Sequence, residues 1–136
     1  YGLGTRLVSG SPVNGVYKLV EIDGIPVMKE SSGKVTYPGR KQIFRHIQDG
    51  EVIGDRLGLL GEDINNSESQ LALMKLVVKE GKRVQEPESL EAIAKRTAAS
   101  VASLPAKTRQ LDNPISPSLE ISTDLQSLTA KTKKSH

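Results

Sequence analysis

The sequence predicts an α+β fold, a short antiparallel or mixed sheet of hairpins followed by one long and one short helix. Three observations carry this. Two Asp-Gly pairs, Asp23-Gly24 and Asp49-Gly50, each separate two runs of strand-forming residues. Polar and apolar side chains alternate through residues 42–47. From Leu90 onward the apolar spacing changes to three and four, the period of a helix.

Taken in order, residues 1–15 hold four Gly, one Pro and one Asn and read as the end of an element followed by a loop. The first hairpin is expected over 16–29. Asp-Gly is the strongest short-range hairpin signal because Gly tolerates positive φ and Asp can bond its own backbone. Residues 30–33 read as a break and Tyr37-Pro38-Gly39 as a turn. In the next strand Ile43, Arg45 and Ile47 face one way and Gln42, Phe44 and His46 the other. The chain reverses at 48–51 and continues through Val52-Ile53 to Leu60. Residues 62–70 are polar loop, and 71–78 read as a fifth strand, with a helix over 69–76 as the alternative.

The second half changes character. Leu90, Ile93, Ala94, Thr97, Ala98 and Val101 share one helical face. Pro87 is placed in the first turn, Glu91 can pair with Lys95 one turn on, and Pro105 ends the helix. Residues 106–118 read as linker. A last short helix starts near Ser122, with Thr123 and Gln126 as a capping box and Leu125 and Leu128 as its large anchors. Three regions result: 1–15, a strand-rich 16–80, and a helical 81–136 with a flexible basic tail.

Composition narrows the function classes. The 136 residues include one Phe, three Tyr and no Trp, so the core is thin in large aromatic blocks. The absence of Cys excludes a disulfide framework, a zinc knuckle and an iron–sulfur cluster. Neither a membrane-length apolar run nor a signal-peptide pattern is present, so a soluble, cytoplasmic protein is expected. The chain opens on Tyr1 rather than Met, which suggests an upstream segment. Lys131, Lys133 and Lys134 lie in the last six residues, and without them the basic side chains equal the 16 acidic ones. A solvated tail explains them better than nucleic-acid binding, which would place a basic stripe on the folded part.

Few residues suggest chemistry. His46 has no Ser, Cys or acid placed beside it by sequence and no metal-ligand spacing, so it reads as structural. Asp49, Glu51 and Asp55 read as hairpin solubility. In Gly2-Leu3-Gly4-Thr5 the glycines could converge backbone N–H groups on an anion, with the Thr5 hydroxyl as a further donor, or simply form a turn. Lys29, Lys34, Arg40, Lys41 and Arg45 form a broken basic series that could line a phosphate-rich cleft or be the polar face of a sheet. No catalytic residue and no metal ligand is assigned within the chain.

In combination these segments become specific. Tyr1-Gly2-Leu3-Gly4-Thr5-Arg6-Leu7, Gly15-Val16-Tyr17-Lys18-Leu19-Val20, Pro26-Val27-Met28-Lys29 and Lys34-Val35-Thr36-Tyr37-Pro38-Gly39-Arg40-Lys41 resemble, in that order, the carboxyl-terminal third of nicotinate phosphoribosyltransferase. Ser103 to Arg109 resembles that family's Leu-Pro segment, and Ser122 to Leu128 its ending. The resemblance implies an α/β domain flanking an irregular (β/α) barrel. The implied activity is ATP-coupled formation of nicotinate mononucleotide from nicotinate and phosphoribosyl pyrophosphate, in NAD salvage. It also implies a phosphate site at Gly4 and Thr5, and a basic hairpin region holding Lys29, Lys34 and Arg40. ATP and Mg2+ are implied for the parent enzyme and no cofactor for this segment. The implied partners are the upstream barrel and amino-terminal region of the same protein, and a second subunit in a homodimer; neither nucleic acid nor membrane is expected. The family's phosphorylated His and nicotinate-binding Arg lie upstream, so the chain alone is expected to be inactive. The alternative is a free-standing, non-catalytic α+β interaction domain. Glu30-Ser31-Ser32-Gly33 departs from the family's usual pattern at that turn.

Overall fold

The computed structural model describes residues 17–62 and 69–134. The first hairpin is narrower than the sequence suggests: β1 (Glu21–Ile22) pairs antiparallel with β2 (Ile25–Pro26). Asp23 and Gly24 both take positive φ, 48° and 80°, as a twist-matched two-residue turn requires. Pro26 has no N–H but sits opposite Glu21 at a position that needs none, and the pairing resumes beyond it with Val27 N–H on Val20 O. Residues 30–33, expected as a break, instead start a second small hairpin, β3 (Glu30–Ser31) with β4 (Lys34–Val35). The turn of this hairpin contains Gly33 at φ 97°.

The main sheet is built on β5 (Lys41–Gln48) and β6 (Glu51–Leu59), joined by Asp49-Gly50. Their antiparallel register runs from Lys41↔Leu59 to His46↔Gly54, then shifts so that Ile47 meets Val52. Ile53 is thus the extra residue of a bulge and points to solvent. Of the two faces expected on β5, the one carrying Gln42 and Phe44 is the more deeply buried. Phe44 and Val52 are core residues. Buried Gln42 is satisfied because its amide donates to Met74 O at 3.0 Å and accepts from Met74 N at 2.8 Å.

That amide also explains a difference from expectation. The single strand predicted over 71–78 is divided into β7 (Gln70–Ala72), antiparallel to β5, and β8 (Val78–Lys79). The ladder persists as far as Leu73 N–H on Ile43 O, 2.9 Å, and then the Gln42 side chain takes over both backbone groups of Met74. β8 pairs instead with β9 (Lys82–Arg83) around Glu80-Gly81.

Helix α1 (Leu90–Ala102) forms where the periodicity places it. Its N-cap is Ser89, whose Oγ accepts from Ala92 N at 3.1 Å, so Pro87 lies before the cap rather than in the first turn. The pair that braces this helix is Glu88–Arg96, bidentate at 3.0 and 2.7 Å, rather than Glu91–Lys95. At the carboxyl end Ser103 N–H bonds Ala99 O, and Ser103 O accepts from Val52 N at 2.8 Å, anchoring the helix end to β6. The stripe itself lacks cover: Leu90 is 86% exposed and Val101 48%.

The stretch read as linker ends in a strand. β10 (Ser118–Ile121) runs parallel to β6, with Ser118 opposite Gly54 and Ile121 opposite Leu57. The sheet order is β10-β6-β5-β7, a mixed sheet. Helix α2 (Thr123–Lys134) follows at once. Its 12 residues nearly equal the 13 of α1, so the pair is not one long and one short helix. The cap is Ser122, whose Oγ accepts from Leu125 N at 3.2 Å, and Gln126 donates to Ile121 O, which replaces the expected Thr123–Gln126 box. Regular helix continues through Lys131 and Lys133 to Lys134, where a flexible tail was expected. Leu125 is fully buried.

The start of α2 is tied to the sheet by Glu62. Its Oε1 accepts from Leu59 N and from Ser122 Oγ, both at 2.6 Å, and its Oε2 accepts from Arg56 at 3.0 Å. Replacing Glu62 with Ala leaves the Leu59 N–H and the buried Ser122 hydroxyl without that acceptor, and is expected to cost about 3 kcal/mol. Glu62→Gln keeps one acceptor oxygen and should cost about 1 kcal/mol. Urea unfolding midpoints of the two variants should fall in that order.

A second expectation concerns pH. The hydrogen-bonded Arg96 guanidinium holds the Glu88 carboxyl below its ordinary range. The folded carboxylate therefore takes up its proton less readily than the unfolded one. The pair supports α1 fully above the unfolded-chain carboxyl value, and that support disappears as pH falls through the depressed folded value. Carbon-detected NMR titration should show Glu88 shifted down in the native chain and back to its ordinary range in Arg96→Gln.

Candidate functional site

The residues singled out by sequence fall in two places. Gly4 and Thr5 lie outside the described residues. Lys29, Lys34 and Arg40 lie along the two small hairpins and the link into β5. Lys29 is exposed, and its backbone is fixed at the root of the second hairpin. Its N–H donates to Thr36 Oγ1 at 2.8 Å and its carbonyl accepts from Thr36 N at 3.0 Å. Lys34 stands opposite Ser31 in the β3–β4 pair. Arg40 reaches back to β1, where Glu21 Oε1 accepts from its Nε at 2.8 Å and lies 2.6 Å from its terminal nitrogen. The Arg40 side chain remains mostly exposed, and Glu21 largely is not.

Lys41 behaves differently from its neighbours in the basic series. Its ammonium turns onto the Tyr37-Pro38-Gly39 segment and donates to Tyr37 O at 2.7 Å and to Gly39 O. Partial burial pushes its pKa below the ordinary lysine value. Its charge therefore fixes a turn. Arg45 likewise faces a partner across the strand pair, with both nitrogens 2.9 Å from the two Asp55 oxygens. Those hydrogen bonds hold its guanidinium above an already high pKa. Two members of the basic series are thus engaged inside the sheet and the turn, and Arg40 is held by Glu21 in a defined place.

Two shallow clefts open elsewhere. One, about 240 Å³, is lined by His46, Ile53, Gly54, Asp55, Ser118 and Glu120. His46 Nδ1 lies 3.3 Å from the Gln70 amide there. The other, about 550 Å³, lies between the segment after β7 and helix α1, with Leu73, Lys75, Gln85, Glu88, Arg96 and Ser100 among its walls. Among the described residues no three His, Cys, Asp or Glu side chains converge as metal ligands. No helix among them is long and apolar enough to cross a membrane. What this surface offers chemically is a set of fixed cations beside a buried Pro-Gly turn.

Sequence reasoning missed the partners that fix these groups. Glu21 lies 19 positions from Arg40, and the Glu62–Ser122 contact spans 60. Only the Arg45–Asp55 pair carried a readable signal, since facing positions on a predicted hairpin with opposite charge are expected to meet.

Comparison with known proteins bears on this geometry. Residues 68–129 match the family model described as the nicotinate phosphoribosyltransferase C-terminal domain. The chain is 35% identical over 117 residues to nicotinate phosphoribosyltransferase pncB2 of Mycobacterium tuberculosis, covering 83% of this chain and 24% of that protein. It is 38% identical over 110 residues to pncB1 of the same organism, covering 78% and 24%. The crystal structure of human nicotinic acid phosphoribosyltransferase shares the fold, with a TM-score of 0.61 and 24% identity over 85% of this chain and 26% of that one. The chain thus spans about a quarter of the length of each of these relatives. Its C-terminal domain matches the nicotinate phosphoribosyltransferase family, both in the family model and in the relatives.

Proposed function

We propose that this chain is the carboxyl-terminal part of an ATP-coupled nicotinate phosphoribosyltransferase that forms nicotinate mononucleotide in NAD salvage. The observation that carries the reading is the 117-residue alignment, at 35% identity, with an enzyme named for that activity. A family model of the C-terminal domain matches separately over 68–129, and a shared fold adds support. In this reading Gly4 and Thr5 contribute backbone N–H groups and a hydroxyl to a phosphate site, and Lys29, Lys34 and Arg40 supply positive charge in a basic cleft. Backbone donors of this kind act only when held in place by their surroundings. In this reading the chain works packed against the barrel and amino-terminal region of the same protein, within one subunit of a cytoplasmic homodimer. ATP and Mg2+ would be held mainly by the upstream part.

The test is formation of nicotinate mononucleotide from nicotinate, phosphoribosyl pyrophosphate, ATP and Mg2+. The isolated 136-residue chain is expected to give none above the uncatalysed background, and the full-length gene product to turn over. Inactivity of the full-length product would overturn the transferase reading. Turnover by the isolated chain would show that the catalytic centre lies within it after all.

A further inference from the structure

Hairpins β1–β2 and β3–β4 are two-stranded sheets of their own, and neither joins the ladder of the four-stranded sheet. A lone two-stranded hairpin is marginal in water, so something other than strand pairing must hold these two in place. Three sets of contacts do so. The first is at Gly39, which has φ +77°. A Cβ there would lie 2.9 Å from Leu128 Cδ2, 3.6 Å from Leu59 Cδ2 and 4.0 Å from Pro26 Cβ. Helix α2, strand β6 and strand β2 therefore meet at one residue, and both its conformation and its space require glycine. The second is a shared carbonyl. Gly39 N–H and Val27 N–H both donate to Val20 O, at 2.7 and 2.9 Å, which ties the turn to the root of the first hairpin. The third is ionic: Arg40 to Glu21 in the first hairpin, and Lys133 to Glu30 in the second at 2.9 Å.

These contacts differ in weight. Each ion pair has at least one exposed partner and is screened by salt, so the two orient more than they hold. The apolar contact of Leu128 with the Pro38-Gly39 turn is not screened, and Pro38 is fully buried beside it. Inside the turn, Lys41 fastens the carbonyls of Tyr37 and Gly39. A rigid turn thus stands between α2 and the first hairpin.

We infer that helix α2 is a strut that sets the position of both small hairpins and of the cations that flank them, acting through Leu128 on Gly39 and through Lys133 on Glu30. Leu128 is thereby a positioning residue for Lys29, Lys34 and Arg40, although it lies some ninety positions away along the chain.

The test is hydrogen exchange on the whole 136-residue chain, following the Gly39 and Val27 amides and, as reference, those of the β5–β6 ladder. Leu128→Ala is expected to speed exchange at Gly39 and Val27 on the order of tenfold and leave the ladder unchanged. Leu128→Met, which keeps the contact, should restore protection. Lys133→Gln should speed exchange in the second hairpin by less than about threefold, and less again in high salt. Gly39→Ala should be less damaging in the Leu128→Ala background than alone, since the shorter side chain makes room for the methyl group. Unchanged exchange at Gly39 and Val27, or an equal rise throughout the ladder, would overturn the inference, as would strict additivity of the Gly39 and Leu128 changes. The readout involves no turnover, so its failure leaves the transferase reading where it stood.

Discussion

The Glu62 carboxylate is the interaction on which the carboxyl-terminal half of the fold depends. It lies just past β6 with its side chain 8% exposed, and it joins three parts of the chain: the last turn of β6, Arg56 within that strand, and the cap of α2. Gly58 makes room for it, since a Cβ there would come 2.6 Å from Glu62 Oε2. A carboxylate this enclosed is tolerable only because each oxygen meets a donor, one of them charged. The consequence reaches through α2. A 12-residue helix is marginal in isolation, and this one has a single fully buried leucine, so its cap and its seat on β6 decide whether it forms.

Local signals in the sequence disclose the local structure. Both Asp-Gly pairs become two-residue turns, because the requirement for positive φ is written in the residues themselves. The period of three and four from Leu90 becomes α1. The larger failures are non-local. β10 is four residues long, follows Pro117, and exists as a strand because β6 offers a parallel edge 64 positions upstream. Nothing in Ser118-Leu119-Glu120-Ile121 discloses that edge. The run over 71–78 looks like one strand from composition, and is divided because a side chain on β5 intercepts its backbone at Met74. The α2 cap falls on Ser122 rather than Thr123 because Ser122 is already fixed by Glu62, a tertiary preference that a four-residue motif does not contain.

The candidate site was legible in the same uneven way. The cations of residues 29–45 are plain in the sequence, and their family likeness indicates where to look. What each cation does depends on distant partners. Arg40 is held by Glu21, Lys41 by two carbonyls and Arg45 by Asp55. Residues of one charge that seem equivalent in a linear series are thereby divided into those that fix the backbone and those that face solvent. The division matters because an ammonium fastened to carbonyls is a brace, whereas the Lys29 and Arg40 side chains remain exposed.

The uncovered apolar surface gives the fold its wider meaning. Leu90, Ile93 and Val101 repeat at helical spacing, which is the pattern of a face selected for burial, yet each is exposed. Leu71, Met74, Leu76, Val77 and Val78 are half or more exposed on the segment that shares a cleft with that helix. Single apolar residues at a surface need no explanation, but a periodic stripe beside an apolar segment does. At roughly 25 cal/mol for each Å² covered, a face of this kind gains more from a partner than surface ion pairs such as Glu88–Arg96 could return. These residues all fall within the family-matched span, and the small hairpins add Ile22, Ile25 and Val35 as exposed apolar residues of their own. Helix α1 and the segment after β7 face one cleft, so their apolar side chains form a joint surface rather than scattered single residues.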